Sequence, residues 1–291
     1  MSPAGTLRLV HLSDPHVLDL AGVTARDFLW NKRLAGGLNL ALRRSRKHDR
    51  ALLDQLIERL PAVHADHVLL TGDFTNLALR PEFALARRYV QRIADLVGTA
   101  RVSVTPGNHD AYTEDAVVER RFEEAFGEWI GEGARGEWPY LQLTDALAII
   151  GCSSAVPTPF PRASGRLGAR QLERLEALLT RPDAIARVRV VLVHHPPVPQ
   201  HGGELRQLED RAEFAAVIAR AGADIVLHGH DHREVRAALA GPAGRSVPVI
   251  GVTSATYRSS RADRRGRFNV YEVDAAKRAV ISVRAELAQP G

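Results

Sequence analysis

The tetrapeptide Gly107-Asn108-His109-Asp110 places three chemically versatile side chains directly after a glycine. An amide oxygen, an imidazole and a carboxylate can together ligate a metal, transfer a proton and accept hydrogen bonds. The apolar run 102–105 before it predicts a buried strand, and the glycine permits a sharp turn where that strand ends. The pattern therefore predicts a reactive turn, whose function depends on partners supplied by the rest of the chain.

Four other predicted strands end in residues that can ligate metals. Asp14 and His16 follow the apolar run 7–12, and their spacing of two places both side chains on one side of an extended chain. The other three ends carry carboxylate or imidazole side chains, namely Asp73, His194 with His195, and His230 with His232. Two carboxylates, one amide oxygen and at least four imidazoles suit two borderline divalent metals such as Mn, Fe or Zn, and they argue against a thiolate site.

The elements that must position these residues alternate between strand and helix. Amphipathic patterns predict helices at 49–60, which Pro61 would end, and at 81–96. Strands at 66–70 and 102–105 follow these helices. This order, with a polar motif after each strand, is typical of open α/β sheets, which place their sites at the carboxyl ends of the strands.

The second half of the chain continues the α/β pattern. Helices are predicted at 113–126, 169–179 and 207–221, and strands at 188–193 and 224–227. The tail adds three or four segments typical of strands. Because no repeat, low-complexity tract or clear linker interrupts the chain, we expect residues 1–291 to form a single domain.

Composition places the chain among soluble globular proteins. It has 291 residues, of which 45% are apolar and 25% are charged. A single cysteine, Cys152, rules out an intramolecular disulfide framework and fits a reducing compartment. Residues 1–7 lack the pattern of a secretory signal, so we expect a cytoplasmic location. The net charge of +5 is carried almost entirely by arginine, which permits an anionic substrate but is not evidence for nucleic acid.

Residues 20–47 interrupt the pattern with apolar residues at near-helical spacing among basic ones. The pair Gly36-Gly37 weakens any helix in the middle of this segment. One interpretation is an insertion that packs on the domain surface. The other is a basic amphipathic flap, which would lie on a membrane surface or cover an anionic substrate.

Taken in order, five motifs resemble the full motif set of the calcineurin-like metallophosphoesterases. They are Asp14-Pro15-His16, Gly72-Asp73, Gly107-Asn108-His109-Asp110, His194-His195-Pro196 and Gly229-His230-Asp231-His232. The resemblance implies a four-layered α/β/β/α sandwich and a metal-dependent phosphoric ester hydrolase. The run His194-His195-Pro196-Pro197 and the spacing of Asn108 and His230 are most similar to the cyclic-nucleotide and glycerophosphodiester phosphodiesterase branch.

The resemblance also implies a role for each motif residue. One divalent metal ion would be held by Asp14, His16 and His232, and a second by Asn108, His194 and His230. Asp73 would bridge the two ions. The choice of His194 over His195 follows the family's His-x-Pro pattern. His109 would face the substrate as a catalytic acid or charge-stabilising group, with Asp110 orienting it through a hydrogen bond.

The function implied is hydrolysis of a small anionic phosphodiester by a hydroxide that bridges the two metals. His195, Arg162 and Arg166 are candidate substrate contacts, as are the five arginines between 258 and 267, although a solvated basic surface is an equal explanation for the arginines. A phosphomonoesterase, or a hydrolase of lipid-linked pyrophosphate at the inner membrane surface, remains the alternative within the family. A non-catalytic metal-binding interaction module is the alternative of another class. A nuclease is disfavoured because no strip of aromatic and basic residues is present to stack bases.

Overall fold

Two β-sheets pack face to face, and helices cover the outer face of each sheet. The computed structural model describes residues 5–24, 27, 47–131, 137–159, 161–199 and 203–289. Most of the predicted insertion at 20–47 falls outside these residues, so both interpretations of it stay predictions.

The first sheet contains five strands and three of the strand ends singled out above. Its strands are β1 (Thr6–Leu12), β2 (His67–Thr71), β3 (Val102–Thr105), β10 (Arg267–Asp274) and β11 (Ala279–Leu287). They lie in the order β11-β10-β1-β2-β3. Because β1, β2 and β3 are parallel, their carboxyl ends meet at one edge of the sheet.

The second sheet contains six strands and the other two strand ends. Its strands are β4 (Tyr140–Leu143), β5 (Leu147–Gly151), β6 (Val188–Leu192), β7 (Ile225–His228), β8 (Val235–Ala240) and β9 (Ser246–Gly251). They lie in the order β4-β5-β6-β7-β9-β8. The parallel pairing of β6 with β7 aligns the ends that carry His194 and His230.

The helices present one apolar face each to a sheet. The first sheet is covered by α1 (Arg50–Val63) and α2 (Arg80–Val97), and the second by α5 (Ala169–Leu179) and α7 (Arg211–Ala221). Three shorter helices complete the set, namely α3 (Glu114–Val118), α4 (Arg121–Phe126) and α6 (Pro182–Ile185). Within the described residues, no helix combines the length and the apolar composition needed to cross a bilayer.

Three apolar clusters separate the four layers. Leu56 and Val68 belong to the cluster between helices and first sheet, and Leu175 belongs to the matching cluster on the second sheet. The third cluster lies between the sheets and contains Leu9. Along β1, Leu9 faces the other sheet while Val10 faces the helices, as expected for a strand buried on both faces. This layering confirms the predicted α/β/β/α sandwich.

Three helices differ from the sequence prediction, and the smallest difference is that α7 begins at Arg211 rather than at residue 207. α1 continues through Pro61 to Val63, because a proline in the last turn removes only one terminal hydrogen bond and Val63 is buried. The stretch 113–126 forms two helices, since Arg120 adopts the left-handed conformation at φ 53°. Arg121 fixes this break by donating hydrogen bonds to the Ala78 carbonyl and to Asp115.

Candidate metal centre

Five loops converge where the carboxyl ends of the parallel strands of both sheets meet. They follow β1, β2, β3, β6 and β7 and carry the five predicted motifs. Backbone hydrogen bonds tie neighbouring loops together: Asp14 N donates to Gly72 O at 3.0 Å, and Gly229 N donates to His194 O at 3.1 Å. Between the sheets, His230 N donates to Oδ2 of Asp14 at 3.1 Å. The site is therefore assembled from residues that are far apart in the sequence.

The backbone of these loops is strained at the candidate ligands themselves. Ten non-glycine residues of the described chain have positive φ, and five of them are candidate ligands: Asp14, His16, Asp73, His230 and His232. A left-handed conformation costs a residue of this kind roughly 1–2 kcal/mol. Such strain persists only where surrounding structure imposes it, and it concentrates at functional sites.

Two glycines are required by close approach of side chains. Gly107 begins a turn, in which Asp110 N donates to the Gly107 carbonyl at 3.0 Å, but its φ is not positive. A side chain at Gly107 would instead collide with the carboxylate of Asp73, and one at Gly229 would collide with Ser13 and the carboxylate of Asp14. The glycines of the motifs therefore make room for the candidate ligand carboxylates.

The first group of donor atoms consists of Asp14, His16 and His232. The Nε2 atoms of His16 and His232 are 3.1 Å apart, and His232 Nε2 lies 3.2 Å from Oδ1 of Asp14. Two donors that each sit about 2.1 Å from one ion are separated by roughly 3–3.5 Å. The spacing of this group therefore fits donors that share a cation.

The second group consists of Asp73, His194 and His230. His194 Nε2 lies 3.3 Å from Oδ2 of Asp73 and 3.2 Å from Nδ1 of His230. Oδ2 of Asp73 also lies 3.7 Å from Nε2 of His16, so this carboxylate belongs to both groups. Oδ2 of Asp73 thus lies between the two donor groups, while its bridging role stays a prediction.

Hydrogen bonds on the far side of two imidazoles set their tautomers. His16 Nδ1 donates to the Thr75 carbonyl at 3.2 Å, and His194 Nδ1 donates to the Thr71 carbonyl at 2.7 Å. In the neutral form of each ring the hydrogen is therefore on Nδ1, and the lone pair of Nε2 points into the donor group. This arrangement is common for metal-ligating histidines.

The chemistry of the site fits two divalent cations. Oδ1 of Asp14 and Oδ1 of Asn108 are buried and have no hydrogen-bond partner among the described residues. A buried carboxylate or amide oxygen without a partner is costly, and a cation bound at each atom would satisfy it. Together with the imidazole nitrogens they form the mixed oxygen and nitrogen donor set that borderline divalent metals favour.

Burial controls the protonation of the candidate ligands. Burial, reinforced by neighbouring histidines, lowers the pKa of His16 and His230 well below the ordinary value, which favours the neutral form that binds metals. Burial also lowers the pKa of His194, but the charge of Asp73 outweighs this and raises the pKa to about 9. A cation therefore competes with a proton for the Asp73–His194 pair.

His109 lies beside the donor groups and is held by neighbours on two sides. Its Nδ1 donates to the Asn76 carbonyl at 2.6 Å, and its ring stacks on Tyr112 with 5.3 Å between centroids. The ring is 5.1 Å from that of His16, in an edge-on arrangement. If His109 transfers a proton, as the sequence predicts, this orientation assigns the transfer to Nε2.

Asp110 acts on the loop that carries His109. Its carboxylate accepts hydrogen bonds from the backbone N–H groups of Gly107, Phe74 and Thr75, and from the Thr75 hydroxyl. The Nδ1 hydrogen of His109, which the sequence suggested would bond to Asp110, is donated to Asn76 instead. Asp110 therefore supports His109 by fixing the backbone around it.

The candidate substrate contacts occupy different environments. His195 is fully buried, bonded through Nδ1 to the Ser154 hydroxyl at 2.7 Å, and its ring lies 4.6 Å from that of His230. Arg162 and Arg166 are exposed on the loop after β5. Substrate contact by these three residues stays a prediction.

Four arginines of the 258–267 segment are engaged within the chain. Arg258, Arg261 and Arg267 pair with Asp49, Asp263 and Glu234, while Arg265 donates to the Ser259 and Ser260 carbonyls. These contacts favour a structural role for the segment over a phosphate-binding role.

Two residues near the centre have no counterpart in the sequence prediction. His48 lies beside His16 and His232, and one ring nitrogen of each lies within 4.8 Å of the others. Arg206 is exposed and donates to the His230 carbonyl at 3.5 Å, beside the second donor group. Neither follows a strand, so strand-end motifs gave no signal for them.

A cavity of about 590 Å³ opens beside the first donor group. His16, His48, Asn76, Tyr89 and Arg50 are among the residues that line it. This volume is within the range of small-molecule sites.

The sequence matches the profile of one known protein family. Residues 7–234 match the sequence profile of the calcineurin-like phosphoesterases. A search of curated protein sequences found no match.

Three solved structures share the fold at low sequence identity. A purple acid phosphatase from yellow lupin seeds superposes with a TM-score of 0.60 at 14% identity, over 97% of this chain and 54% of that protein. A dimetal phosphatase from Danio rerio gives 0.57 at 12% identity, over 97% and 99%. GAP50, the anchor in the inner membrane complex of Plasmodium, gives 0.50 at 12% identity, over 98% and 89%. The chain spans about half the length of the lupin phosphatase.

Proposed function

The chain belongs to the calcineurin-like phosphoesterase family, and from that premise we propose that it hydrolyses a phosphodiester of a small molecule at a pair of divalent metal ions. Family membership makes it a metal-dependent phosphoester hydrolase that uses two divalent metals. The preference for a diester, the metal identity as Mn, Fe or Zn, and the roles of individual residues belong to the proposal.

The position of Asp73 is the observation that supports the proposal most strongly. Its Oδ2 lies 3.3 Å from His194 Nε2 and 3.7 Å from His16 Nε2, so one carboxylate serves both donor groups. We assign Asp14, His16 and His232 to one ion and Asn108, His194 and His230 to the other, with Asp73 shared. When bound, such a pair supplies an acidified water as nucleophile and neutralises charge on the phosphoryl oxygens.

His109 is the residue we assign to proton transfer. Because Nδ1 donates to Asn76 O, only Nε2 can deliver a proton to the leaving oxygen of the ester. The backbone N–H of His109 donates to Oδ1 of Asp73 at 2.7 Å, which sets the distance between the acid and the shared carboxylate. Asp110 and Tyr112 hold the loop and the ring in this orientation.

The preference for a small diester rests on two features. The motif run His194-His195-Pro196-Pro197 is most similar to the cyclic-nucleotide and glycerophosphodiester branch. The cavity beside His16 has a volume suited to the organic group of such an ester. Arg206, at the edge of the second donor group, adds positive charge that suits an anionic substrate of either ester class.

A substrate panel tests the proposal. The purified chain, loaded in turn with Mn²⁺, Fe²⁺ or Zn²⁺, is assayed on bis-p-nitrophenyl phosphate, p-nitrophenyl phosphate, a 3′,5′-cyclic nucleotide and a glycerophosphodiester. We expect kcat/KM on diesters to exceed that on the monoester at least about tenfold. A preference for the monoester would overturn the diester assignment. Inactivity with every metal and ester would overturn the hydrolase itself and favour a metal-binding interaction module.

The location of the protein is a separate part of the proposal. We propose a cytoplasmic protein with peripheral contact at the inner membrane surface through residues 20–47, whose composition is basic and amphipathic. A variant that lacks residues 28–46 should lose co-sedimentation with anionic liposomes while keeping turnover of soluble esters. Equal sedimentation of the two proteins would contradict membrane contact through this segment.

A further inference from the structure

We propose that His48 is a further ligand of the ion assigned to Asp14, His16 and His232. The inference rests on the proposed metal pair and adds a third imidazole to one of its two ions. His48 directly follows the 20–47 segment, so it would connect that segment to the metal centre.

The position of His48 fits a shared ion. One ring nitrogen from each of His16, His48 and His232 lies within 4.8 Å of the other two. The His48 ring centroid is 4.7 Å from that of His16 and 5.4 Å from that of His232, and both contacts are edge-on. The His16 and His232 rings, which belong to the first donor group, are themselves 5.0 Å apart. The three imidazoles therefore surround one point at similar spacing.

Hydroxyl groups behind His48 fix its tautomer. His48 Nδ1 lies 2.9 Å from Oγ1 of Thr256. The Pro15 carbonyl lies 3.0 Å from the same hydroxyl and can only accept, so both contacts are satisfied together when the hydroxyl donates to Pro15 and accepts from His48 Nδ1. The second nearby hydroxyl, on Ser254, likewise donates to the Asp14 carbonyl at 2.7 Å. The ring hydrogen of His48 is therefore on Nδ1, and Nε2 carries the lone pair that a metal requires.

Backbone hydrogen bonds join the residues around His48 to residues 256–258. Residues 48 and 257 form an antiparallel bridge, Asp49 N donates to Thr256 O at 2.9 Å, and Arg258 N donates to Lys47 O at 2.7 Å. The Thr256 hydroxyl, which contacts His48, also bonds to the carbonyl of Pro15, the residue between Asp14 and His16. Thr256 therefore connects His48 to the loop that carries two other assigned ligands. These hydrogen bonds hold the His48 backbone and ring in the position that a metal ligand would need.

A third imidazole would change the metal preference of the first site. Asp14, Asp73, His16 and His232 offer two oxygen and two nitrogen donors, and His48 makes nitrogen the majority. Nitrogen-rich sites favour Zn, Fe and Co over Mg and Ca. We therefore expect that His48 makes this site bind Zn²⁺, Fe²⁺ or Co²⁺ in preference to Mg²⁺.

The test compares the full chain with three variants: His48→Ala, His48→Gln and, as a matched control, His64→Asn at the exposed end of α1. His64 has left-handed backbone at φ 51°, which asparagine tolerates. Each protein is stripped of metal and titrated with Co²⁺, with affinity from calorimetry and ligand environment from the visible d–d spectrum. We expect His48→Ala to weaken one of two binding events at least about tenfold and to shift the spectrum, with His64→Asn unchanged.

A measurement on the unmutated chain tests the proposal even if the His48 variants fold poorly. Proton NMR of the Co²⁺-loaded protein shows the exchangeable N–H of each ligating imidazole as a shifted resonance. Five such resonances are expected, one for each of His16, His48, His194, His230 and His232. Four resonances, or a His48→Ala protein with unchanged Co²⁺ affinity and spectrum, would overturn the proposal. Failure of the hydrolase proposal is distinct, because it would show as two bound ions without turnover of any ester.

Discussion

The backbone N–H of His109 donates a 2.7 Å hydrogen bond to Oδ1 of Asp73. The other oxygen of Asp73 faces His194 and His16. One carboxylate thus touches both donor groups and the loop of the assigned acid. Changes at Asp73 and at His109 should therefore have separable effects on metal binding and on chemistry.

Asp73→Asn should lose metal and activity together. The amide oxygen can still accept from His109 N, so the loop should survive, but the amide nitrogen cannot replace Oδ2 between the donor groups. We expect bound metal to fall from two ions to at most one per chain and kcat to fall at least about 100-fold. Metal analysis after gel filtration and steady-state kinetics measure both. Asp95→Asn, an exposed carboxylate on α2, is the control that should change neither.

His109→Ala should keep both metals and lose rate. None of the assigned donor atoms belongs to His109, whereas the loss of a general acid costs about 10²- to 10⁴-fold. The loss should be larger for an alkyl phosphodiester than for bis-p-nitrophenyl phosphate, because p-nitrophenolate leaves without a proton. Loss of bound metal from His109→Ala, or an equal loss of rate on both esters, would contradict the role assigned to His109.

Asp110→Asn should destabilise the fold near the site. The Asp110 carboxylate accepts hydrogen bonds from three backbone N–H groups and the Thr75 hydroxyl, two at each oxygen, so an amide nitrogen in either position would face two donors. We expect a loss of about 1–3 kcal/mol in the free energy of unfolding, together with a lower kcat. Urea unfolding of the metal-free protein measures the first effect. A variant of unchanged stability would show that these hydrogen bonds do not hold the loop.

Acid should destabilise the fold partly through His67, which is remote from the candidate ligands. Burial, with Arg101 nearby, lowers the pKa of His67 to about 3 in the folded protein, against about 6.5 in an unfolded chain. As pH falls from 6.5 towards 3, only the unfolded chain takes up this proton, so stability decreases. Between pH 7 and pH 5 this one group should remove up to about 2 kcal/mol.

His67→Gln removes that titration while offering an amide N–H, near the position of His67 Nε2, to the Ser103 hydroxyl that Nε2 contacts at 2.8 Å. The metal-free variant should therefore lose less unfolding free energy than the unmutated chain between pH 7 and pH 5. Urea unfolding at both pH values gives the difference. An identical loss in the two proteins would show that His67 is protonated without unfolding.

The strand-end motifs could be predicted from sequence because each depends on local order. An apolar run followed by Asp14-Pro15-His16 or by Gly72-Asp73 specifies both the strand and the residues that end it. Parallel pairing then brings such ends together without further information. The fold class and the convergence of the motifs follow from this.

Other features depend on contacts between distant segments. His48 reaches the centre because residues 256–258 bond to residues 47–49, a pairing that leaves no periodic signal. The partner of His109 Nδ1 is a backbone carbonyl at Asn76, which a side-chain motif cannot indicate. The break at Arg120 is likewise set by the contacts of Arg121 with Ala78 and Asp115.

The assigned ligands should hold two ions around Asp73, and both ions should be needed to hydrolyse a phosphodiester. The direct measurement titrates the metal-free chain with Mn²⁺ while recording bound metal and turnover of bis-p-nitrophenyl phosphate on the same samples. We expect two ions per chain, with activity that rises as the second ion binds and that is absent from Asp73→Asn. Full activity with one ion or none, or two bound ions with no hydrolysis of any phosphate ester, would contradict this expectation.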